Sequence, residues 1–324
     1  MKILYVVLTK NCPLNCPFCF NTFVENFKKC STTPLDKEEI IKTIEELDPD
    51  VVSYIGGEPL LYPKEIKYVL NYFDIRDTNN HRNRIWCIST NLYYKQLTDE
   101  QIEVLQLMQN MSIEEVTIGT SYTVDRFDGV YGYEEMFKNN MLFLDSIGIN
   151  MGVTVTLTKE QIENMNPVKL KWNLEELKYK AVNLERCIYP HPKNEQEEYE
   201  LQELYKKMDL YLRDCFSIFP EDKNYQYKRY KDSVLYEVPV FNPHCSKEVY
   251  SLYEHGLYKG CPLNSSYNKN GIDVNKEYME KIKKFNCLEC KYFKYCRGDC
   301  ECTRGMCAFP KNTIEYLIDS KEEY

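Results

Sequence analysis

Residues 3 to 20 read ILYVVLTKNCPLNCPFCF, an apolar run of strand length that leads directly into three cysteines. Cys12, Cys16 and Cys19 are spaced C-x3-C-x2-C, and no fourth cysteine stands close enough to be an obvious partner. Structural zinc sites and 4Fe–4S clusters both take four protein ligands. Three thiolates would leave one iron of a cubane open, and an open metal position is where a substrate or cofactor binds.

The composition is that of a globular chain with many thiols. Of its 324 residues, 43% are hydrophobic and 28% charged, and the net charge of -9 argues against a nucleic-acid-binding protein. The sequence contains no run of about 18 apolar residues, so it predicts no membrane span, and the N-terminus does not resemble a signal peptide. We therefore expect a cytoplasmic protein, in which 15 cysteines favour metal sites over disulfides.

The first 190 residues alternate between strand-like and helix-like segments. Apolar, β-branched runs predict six strands, at residues 3–9, 50–55, 84–89, 113–120, 150–157 and 180–189. Helical periodicity and capping residues predict helices at residues 35–47, 63–73, 98–108, 133–147 and 172–179. A closed TIM barrel has eight strand–helix units, and this sequence has six. It therefore predicts an α/β fold, a partial (β/α)6 TIM-like barrel, with ligands at the carboxyl ends of the strands.

The sequence predicts four segments: a barrel over residues 1–190, a helical connector over 191–235, a cysteine-rich domain over 236–310 and a tail over 311–324. Within the connector, residues 193–216 are typical of a charged helix. The next stretch, PEDKNYQYKRYKDS at residues 220–233, is polar and favours a linker or surface loop. The tail is expected to begin with a short helix.

The cysteine loop has an aromatic residue, Phe18, directly before Cys19, and the second predicted strand is followed by GGEP at residues 56–59. These two segments, in this order, resemble the radical S-adenosylmethionine (SAM) superfamily. The resemblance implies that the three loop cysteines hold a 4Fe–4S cluster whose unique iron is chelated by SAM. Reductive cleavage of SAM would then give a 5′-deoxyadenosyl radical, which takes a hydrogen atom from the substrate, while the protein supplies positioning and excludes water.

The resemblance also implies SAM contacts from strand ends. The implied residues are Phe18, Gly56, Gly57, Glu58, Pro59, Ser89, Thr90, Asn91, Ser121, Arg126 and Thr154. GGEP is expected to bind the methionyl amino group, the polar cluster after the third strand the ribose or sulfonium region, and Arg126 the carboxylate. Polar residues at strand ends are also common turn and cap residues, and Arg126 could instead pair with Asp125 or Asp128.

Eight further cysteines lie between residues 245 and 307. Their spacing, C-x10-G-x4-C followed by C-x2-C-x5-C-x3-C and two more cysteines, resembles the SPASM extension of radical SAM enzymes. It implies two auxiliary clusters, and therefore three 4Fe–4S clusters in all. The implied ligands are Cys287, Cys290, Cys296 and Cys307 for the distal cluster, and Cys245, Cys261, Cys300 and Cys302 for the proximal one. Cys302 could instead close the distal cluster or remain free, and zinc ribbons are the structural alternative.

The resemblance to SPASM enzymes implies a peptide or protein substrate, oxidised or cross-linked at a side chain as in the maturation of ribosomally made peptides. Formylglycine maturation of a sulfatase and redox-neutral epimerisation are alternatives, and for the latter Cys30 or Cys215 could serve as a spare thiol that donates hydrogen. Both thiols also fit buried core positions. Expected partners are flavodoxin or ferredoxin as electron donor and a separate leader-peptide recognition protein. A small-molecule substrate and a non-catalytic iron–sulfur electron carrier remain open, and no general base can be assigned.

Overall fold

An open, largely parallel sheet is the frame of the chain. The computed structural model describes residues 1–22, 24–127, 130, 132–187, 189, 192–236, 248–260, 282–296 and 309–321. The strands are β1 (Ile3–Thr9), β2 (Val51–Gly56), β3 (Ile85–Thr90), β4 (Ile118–Tyr122), β5 (Met151–Leu157), β6 (Ala181–Arg186), β7 (Val249–Tyr253) and β8 (Gly256–Lys259). Their order in the sheet is β6-β5-β4-β3-β2-β1-β7-β8, and β1 to β6 pair in parallel. The sheet does not close, which confirms the predicted α/β partial barrel.

Most of the described helices lie between the parallel strands, and the last two follow the hairpin that β7 and β8 form. The helices are α1 (Glu25–Lys28), α2 (Lys37–Leu47), α3 (Pro63–Asn79), α4 (Asp99–Met111), α5 (Val124–Phe127), α6 (Tyr133–Ser146), α7 (Lys159–Asn164), α8 (Pro167–Glu176), α9 (Glu195–Ile218), α10 (Tyr225–Tyr236), α11 (Phe293–Cys296) and α12 (Lys311–Lys321). Local capping explains why several were predictable. The Asp36 carboxylate accepts a hydrogen bond from the Glu38 N–H, and Thr98 with Gln101 forms a complete capping box at the start of α4.

Two predicted segments differ from the structure. The helix expected at residues 172–179 is α8, which begins at Pro167 because the Asn166 side chain caps it and proline suits a first turn. The polar linker predicted at residues 220–233 is wrong, because α10 occupies most of it. Gln226, Tyr230 and Val234 are four residues apart and buried. The buried face of α10 is thus partly polar and aromatic, so the polar composition of the segment did not indicate an amphipathic helix.

The two faces of the sheet differ in character. The outer face is apolar and lies buried beneath the helices, as the side chains of Leu4, Val6, Tyr54, Trp86, Val153 and Leu184 illustrate. The inner, concave face alternates with it and carries small or polar residues that are half-buried or exposed. They include Ser53, Cys87, Ser89, Gly119, Ser121, Gly152, Thr154, Asn183 and Glu185. These residues of the inner face form a polar, solvent-accessible surface, which we call the concave wall.

A hairpin from the predicted cysteine-rich region extends the sheet beyond β1. Strand β7 pairs in parallel with β1, from Ile3 opposite Val249, and β8 pairs antiparallel with β7. The Gly260 N–H donates to the Val249 carbonyl (2.7 Å), so the two ends of the hairpin are adjacent. The sequence analysis assigned no strand to this region.

The C-terminal helix is attached to the barrel through α9. Asp209 is 4% exposed, and its carboxylate accepts hydrogen bonds from the backbone N–H groups of Asn312 (2.8 Å) and Thr313 (3.0 Å). The Thr313 hydroxyl and the Asn312 amide donate to the same carboxylate. Free N–H groups in the first turn of a helix need acceptors, so Asp209 caps α12 from a neighbouring helix.

Replacing Asp209 should loosen this attachment. We expect Asp209→Ala to lower the free energy of unfolding of the metal-free protein by about 2 kcal/mol, because several buried donors lose their acceptor. Chemical denaturation measures this change. Asp214→Ala is the control, since that carboxylate forms only an exposed ion pair with Arg213 and should contribute less than about 0.5 kcal/mol. Equal effects of the two substitutions would contradict the assigned role.

Candidate active site

The three-cysteine loop lies at the carboxyl end of β1, over the edge of the sheet. Cys12, Cys16 and Cys19 are all half-buried, and the Cys19 N–H donates to the Cys16 carbonyl (3.0 Å), which folds the loop back on itself. Burial, with smaller contributions from Glu58 and the other loop thiols, raises the pKa of Cys12 to about 11. Burial also raises the pKa of Cys19. Iron binding must therefore displace thiol protons at neutral pH.

The loop rests on a backbone cradle formed by Gly56 and Gly57. The Gly57 N–H donates to the Thr9 carbonyl (2.7 Å), and the Glu58 N–H donates to the Asn11 carbonyl (2.8 Å). A Cβ on Gly57 would lie 2.2 Å from the Asn11 oxygen. One on Gly56, whose φ is +133°, would lie 2.4 Å from the Thr9 oxygen. Only glycine allows the exits of β1 and β2 to approach this closely.

Glu58 connects the cradle to the end of β3. Its side chain is fully buried, and its carboxylate accepts hydrogen bonds from the N–H groups of Leu60 (3.0 Å) and Asn91 (2.6 Å). Burial raises the pKa of Glu58, while these hydrogen bonds act in the opposite direction. Asn91 in turn directs its side-chain amide at the Cys12 sulfur, at 3.5 Å. Glu58 thus orders the turn that contacts the cysteine loop.

Arg126 supplies positive charge beside the loop. Its guanidinium lies over the ring of Phe18, 5.8 Å from the ring centroid, and it favours the ionised form of Cys19. Its Nε is buried, and no hydrogen-bond partner for it exists within the described part of the chain. Asp125, the alternative ion-pair partner, instead accepts a hydrogen bond from the Thr158 hydroxyl (2.7 Å), and Asp128 lies outside the described residues.

The other implied SAM contacts divide between two faces. Ser121 and Thr154 are register partners on β4 and β5 and belong to the concave wall, together with Ser89. Pro59 and Thr90 are buried on the other side, and the Thr90 hydroxyl accepts from the Leu92 N–H (3.2 Å). Their side chains therefore stabilise the turns that frame the wall.

Asn183 and Glu185 are among the residues of the wall that the sequence analysis missed. Asn183 and Glu185 alternate with buried Val182 and Leu184 on β6, and this alternation was the available signal. The Asn183 amide donates to the Glu185 carboxylate. The Glu185 side chain is exposed on the concave face. The protein that surrounds its carboxyl group raises the pKa of that group by desolvation, while Asn183 and Arg229 act to lower it.

The spare thiols proposed from sequence lie away from the wall. Cys30 packs in a small cluster with Val7, Phe27 and Tyr253, and Cys215 is fully buried in α9. Burial raises the pKa of Cys30 to about 11. Their positions favour the alternative interpretation as small core residues. Cys87 is the scattered cysteine that lines the concave face, and burial raises its pKa to about 11 as well.

Three of the predicted auxiliary ligands lie in the described residues. Cys287 begins a short 3-10 turn, the Cys290 N–H donates back to the Cys287 carbonyl (3.1 Å), and Cys296 ends α11. Cys290 and Cys296 pack against the main core. The other predicted ligands, Cys245, Cys261, Cys300, Cys302 and Cys307, lie outside the described residues. Within the described ranges, no three His, Cys, Asp or Glu side chains converge to hold a single metal ion.

The site fits the expected cofactor in its chemistry. It combines three loop thiols, a glycine cradle that a Cβ would fill, a guanidinium with a buried nitrogen that lacks a partner, and a polar wall. None of the helices described is long and apolar enough to cross a bilayer.

Comparison with known proteins is consistent with this geometry. The family model described as Radical SAM superfamily matches residues 6–167, half of the chain. A curated relative, 7-carboxy-7-deazaguanine synthase of Methanocaldococcus jannaschii, is 22% identical over 173 residues. The match covers 49% of this chain and 64% of that protein, so the chain spans slightly less than two thirds of its relative.

Two solved structures share the fold. One is described as native anSMEcpe with bound AdoMet and Cp18Cys peptide. It has a TM-score of 0.64 and 13% identity, and the match covers 99% of this chain and 96% of that one. The other is Streptococcus suis SuiB bound to precursor peptide SuiA, with a TM-score of 0.51 and 16% identity, over 92% of this chain and 71% of that one.

The glycine cradle can be tested by adding one methyl group. Gly57→Ala should lower the free energy of unfolding by about 3 kcal/mol and reduce iron loading, because the new Cβ collides with backbone that cannot rotate away. Gly119→Ala is the matched control. Its Cβ would meet nothing nearer than the Ile88 oxygen at 3.8 Å, so stability should change by less than about 1 kcal/mol. Denaturation curves and iron content after reconstitution measure both. A Gly57→Ala variant with the stability and iron content of the wild type would contradict the role assigned to the glycine cradle.

Proposed function

This chain belongs to the radical SAM superfamily and is an enzyme, and we propose that it removes hydrogen from a peptide side chain to give an oxidised or cross-linked product. The observation that carries the proposal is the three-cysteine loop seated on the Gly56–Gly57 cradle. When bound, SAM and a reduced 4Fe–4S cluster supply one-electron cleavage of a carbon–sulfur bond and hence hydrogen-atom abstraction.

In this proposal the chain binds and orients. Cys12, Cys16 and Cys19 would hold the cluster and leave a position on it open to SAM. The backbone at Gly56 and Gly57 receives the methionyl amine, and Arg126 pairs with the carboxylate. Phe18, Glu58, Pro59, Thr90 and Asn91 keep these groups in register, and Ser89, Ser121 and Thr154 offer hydrogen bonds to the nucleoside.

The concave wall is the proposed substrate site. A cavity of about 180 Å³ is lined there by Cys87, Ser89, Gly119, Thr154, Asn183 and Tyr225, among others. Small side chains leave room for a substrate group, and even a Cβ on Gly119 of β4 would come no nearer than 3.8 Å to another atom, the Ile88 oxygen. The two solved structures support a peptide as the substrate, since each has a peptide bound and each match covers more than nine tenths of this chain.

We propose that the cysteine-rich region is a SPASM domain with two auxiliary clusters. The ligand sets are those implied by the sequence, with Cys245, Cys261, Cys300 and Cys302 in the proximal cluster and Cys287, Cys290, Cys296 and Cys307 in the distal one. The adjacent ends of the hairpin, Val249 and Gly260, support the pairing of Cys245 with Cys261, because these cysteines flank that hairpin in sequence. Nearby clusters suit a net oxidation, because they accept the electron that a substrate radical must lose. Flavodoxin or ferredoxin would supply the reducing electron.

A second candidate is a small heterocyclic substrate. The match to 7-carboxy-7-deazaguanine synthase favours it, but that match covers 49% of this chain. Anaerobic incubation with SAM, dithionite and a synthetic library of short peptides tests the first candidate. We expect 5′-deoxyadenosine and peptides lighter by about two hydrogens. A mass-neutral peptide product would instead indicate epimerisation, and turnover only with a heterocycle would favour the second candidate.

The loop cysteines and the auxiliary-cluster cysteines have different proposed roles, and these can be tested separately. Three clusters require about twelve irons per chain. Joint replacement of Cys12, Cys16 and Cys19 by alanine should remove about four irons and all 5′-deoxyadenosine formation. Joint replacement of Cys287, Cys290 and Cys296 should also remove about four irons but leave SAM cleavage measurable. Iron and sulfide analysis with chromatography of the nucleoside checks both. Zinc instead of iron bound through Cys287, Cys290 and Cys296 in the wild type would refute the auxiliary clusters.

A further inference from the structure

Asn21 lies where the cysteine loop meets the end of β2. It follows Cys19 by two residues, in the short 3-10 turn Phe20–Thr22. Its side-chain Nδ2 donates to the Gly56 carbonyl (2.8 Å). Its backbone and its side chain also favour the ionised form of Cys19. One side chain therefore connects a predicted cluster ligand with the glycine cradle.

The orientation of this amide is determined by its neighbours. The Gly56 carbonyl can only accept a hydrogen bond, so the nitrogen of the Asn21 amide must face it. The remaining atom, Oδ1, is buried and receives no hydrogen bond from any residue that the structure describes. Buried amide oxygens almost always have a donor, and this one lies beside the cofactor site.

The groups around this oxygen indicate which donor it takes. Oδ1, the Gly56 carbonyl and the Cys19 sulfur are all electron-rich acceptors, which suits a positively charged group with several N–H bonds. Arg126, which favours ionised Cys19, supplies the opposite charge nearby. This pairing of acceptors with a guanidinium matches an amino-acid zwitterion, and the methionyl end of SAM is one.

We propose that Asn21 is a SAM-positioning residue whose Oδ1 accepts a hydrogen bond from the methionyl ammonium group. The inference rests on the proposed use of SAM at this site and adds a residue outside the two motifs that defined the site. Asn21 would then couple SAM binding to the cysteine loop, because the same side chain donates to the Gly56 carbonyl and follows Cys19 by two residues.

The test measures SAM affinity of the anaerobically reconstituted enzyme by titration calorimetry, per iron-loaded site. Asn21→Leu should weaken binding of SAM at least about tenfold, a change expected for loss of a charge-assisted hydrogen bond. Asn21→Asp retains the acceptor and should stay within about threefold of the wild type. Thr22→Val is the control: its exposed hydroxyl donates only to the Cys19 carbonyl, and the affinity should not change. Equal weakening by Leu and Asp would mean that Asn21 only ties the loop to β2, and would overturn the proposal.

A SAM analogue without the amino group gives a readout that needs no variant to fold well. The wild type should bind it at least about tenfold more weakly than SAM, and Asn21→Leu should discriminate between the two several-fold less than the wild type does. Electron paramagnetic resonance of the reduced cluster should show a SAM-induced shift in the wild type and the Asp variant. If the wild type binds no SAM at all, the proposed function fails. If it binds SAM but Asn21→Leu discriminates as strongly as the wild type, only this inference fails.

Discussion

The close approach of two backbones, where β1 and β2 leave the sheet, is the constraint on which the site depends. Gly57 has no space for a side chain, and two backbone hydrogen bonds join residues 57 and 58 to Thr9 and Asn11. The register between β1 and β2 shifts between Val7 and Thr9, where the strands begin to part. The cysteine loop starts immediately afterwards, so its position is a consequence of this contact rather than of its own contacts alone.

Buried polar groups transmit that position to the neighbouring strand. Glu58 has no solvent contact and accepts from the backbone at Asn91, whose amide reaches Cys12. The Tyr133 hydroxyl donates to the Asn91 carbonyl (2.5 Å), which adds α6 to the same network. Buried polar networks of this kind order a site when every member has a partner. Among the described residues, the buried atoms that lack a partner include one on Asn21 and one on Arg126, both beside the cysteine loop.

The C-terminal part of the chain is held to the barrel at several points. Strand β7 lies along β1, so the strand that leads into the cysteine loop also anchors the cysteine-rich region. Helix α12 is attached through Asp209 on α9, and an ion pair between Lys284 and Glu198 lies between these two attachments in the chain. These attachments restrain the region against the barrel, which suits the proposed auxiliary-cluster domain.

The sequence by itself determined the class of fold and the principal cofactor loop. Strand runs, capped helices and the spacing of Cys12, Cys16 and Cys19 are local signals, and local chain geometry is sufficient to interpret them. Tertiary structure alone decided that Asn21 reaches Gly56, that Glu58 is buried, that β7 joins β1 and that residues 220–233 contribute to a helix. Each of these depends on contacts between segments far apart in the chain, or on the burial of polar side chains, and an apolar pattern along the sequence reveals neither. The same reason explains why Cys30 and Cys215 seemed available as thiols, since a sequence does not reveal which cysteines the core encloses.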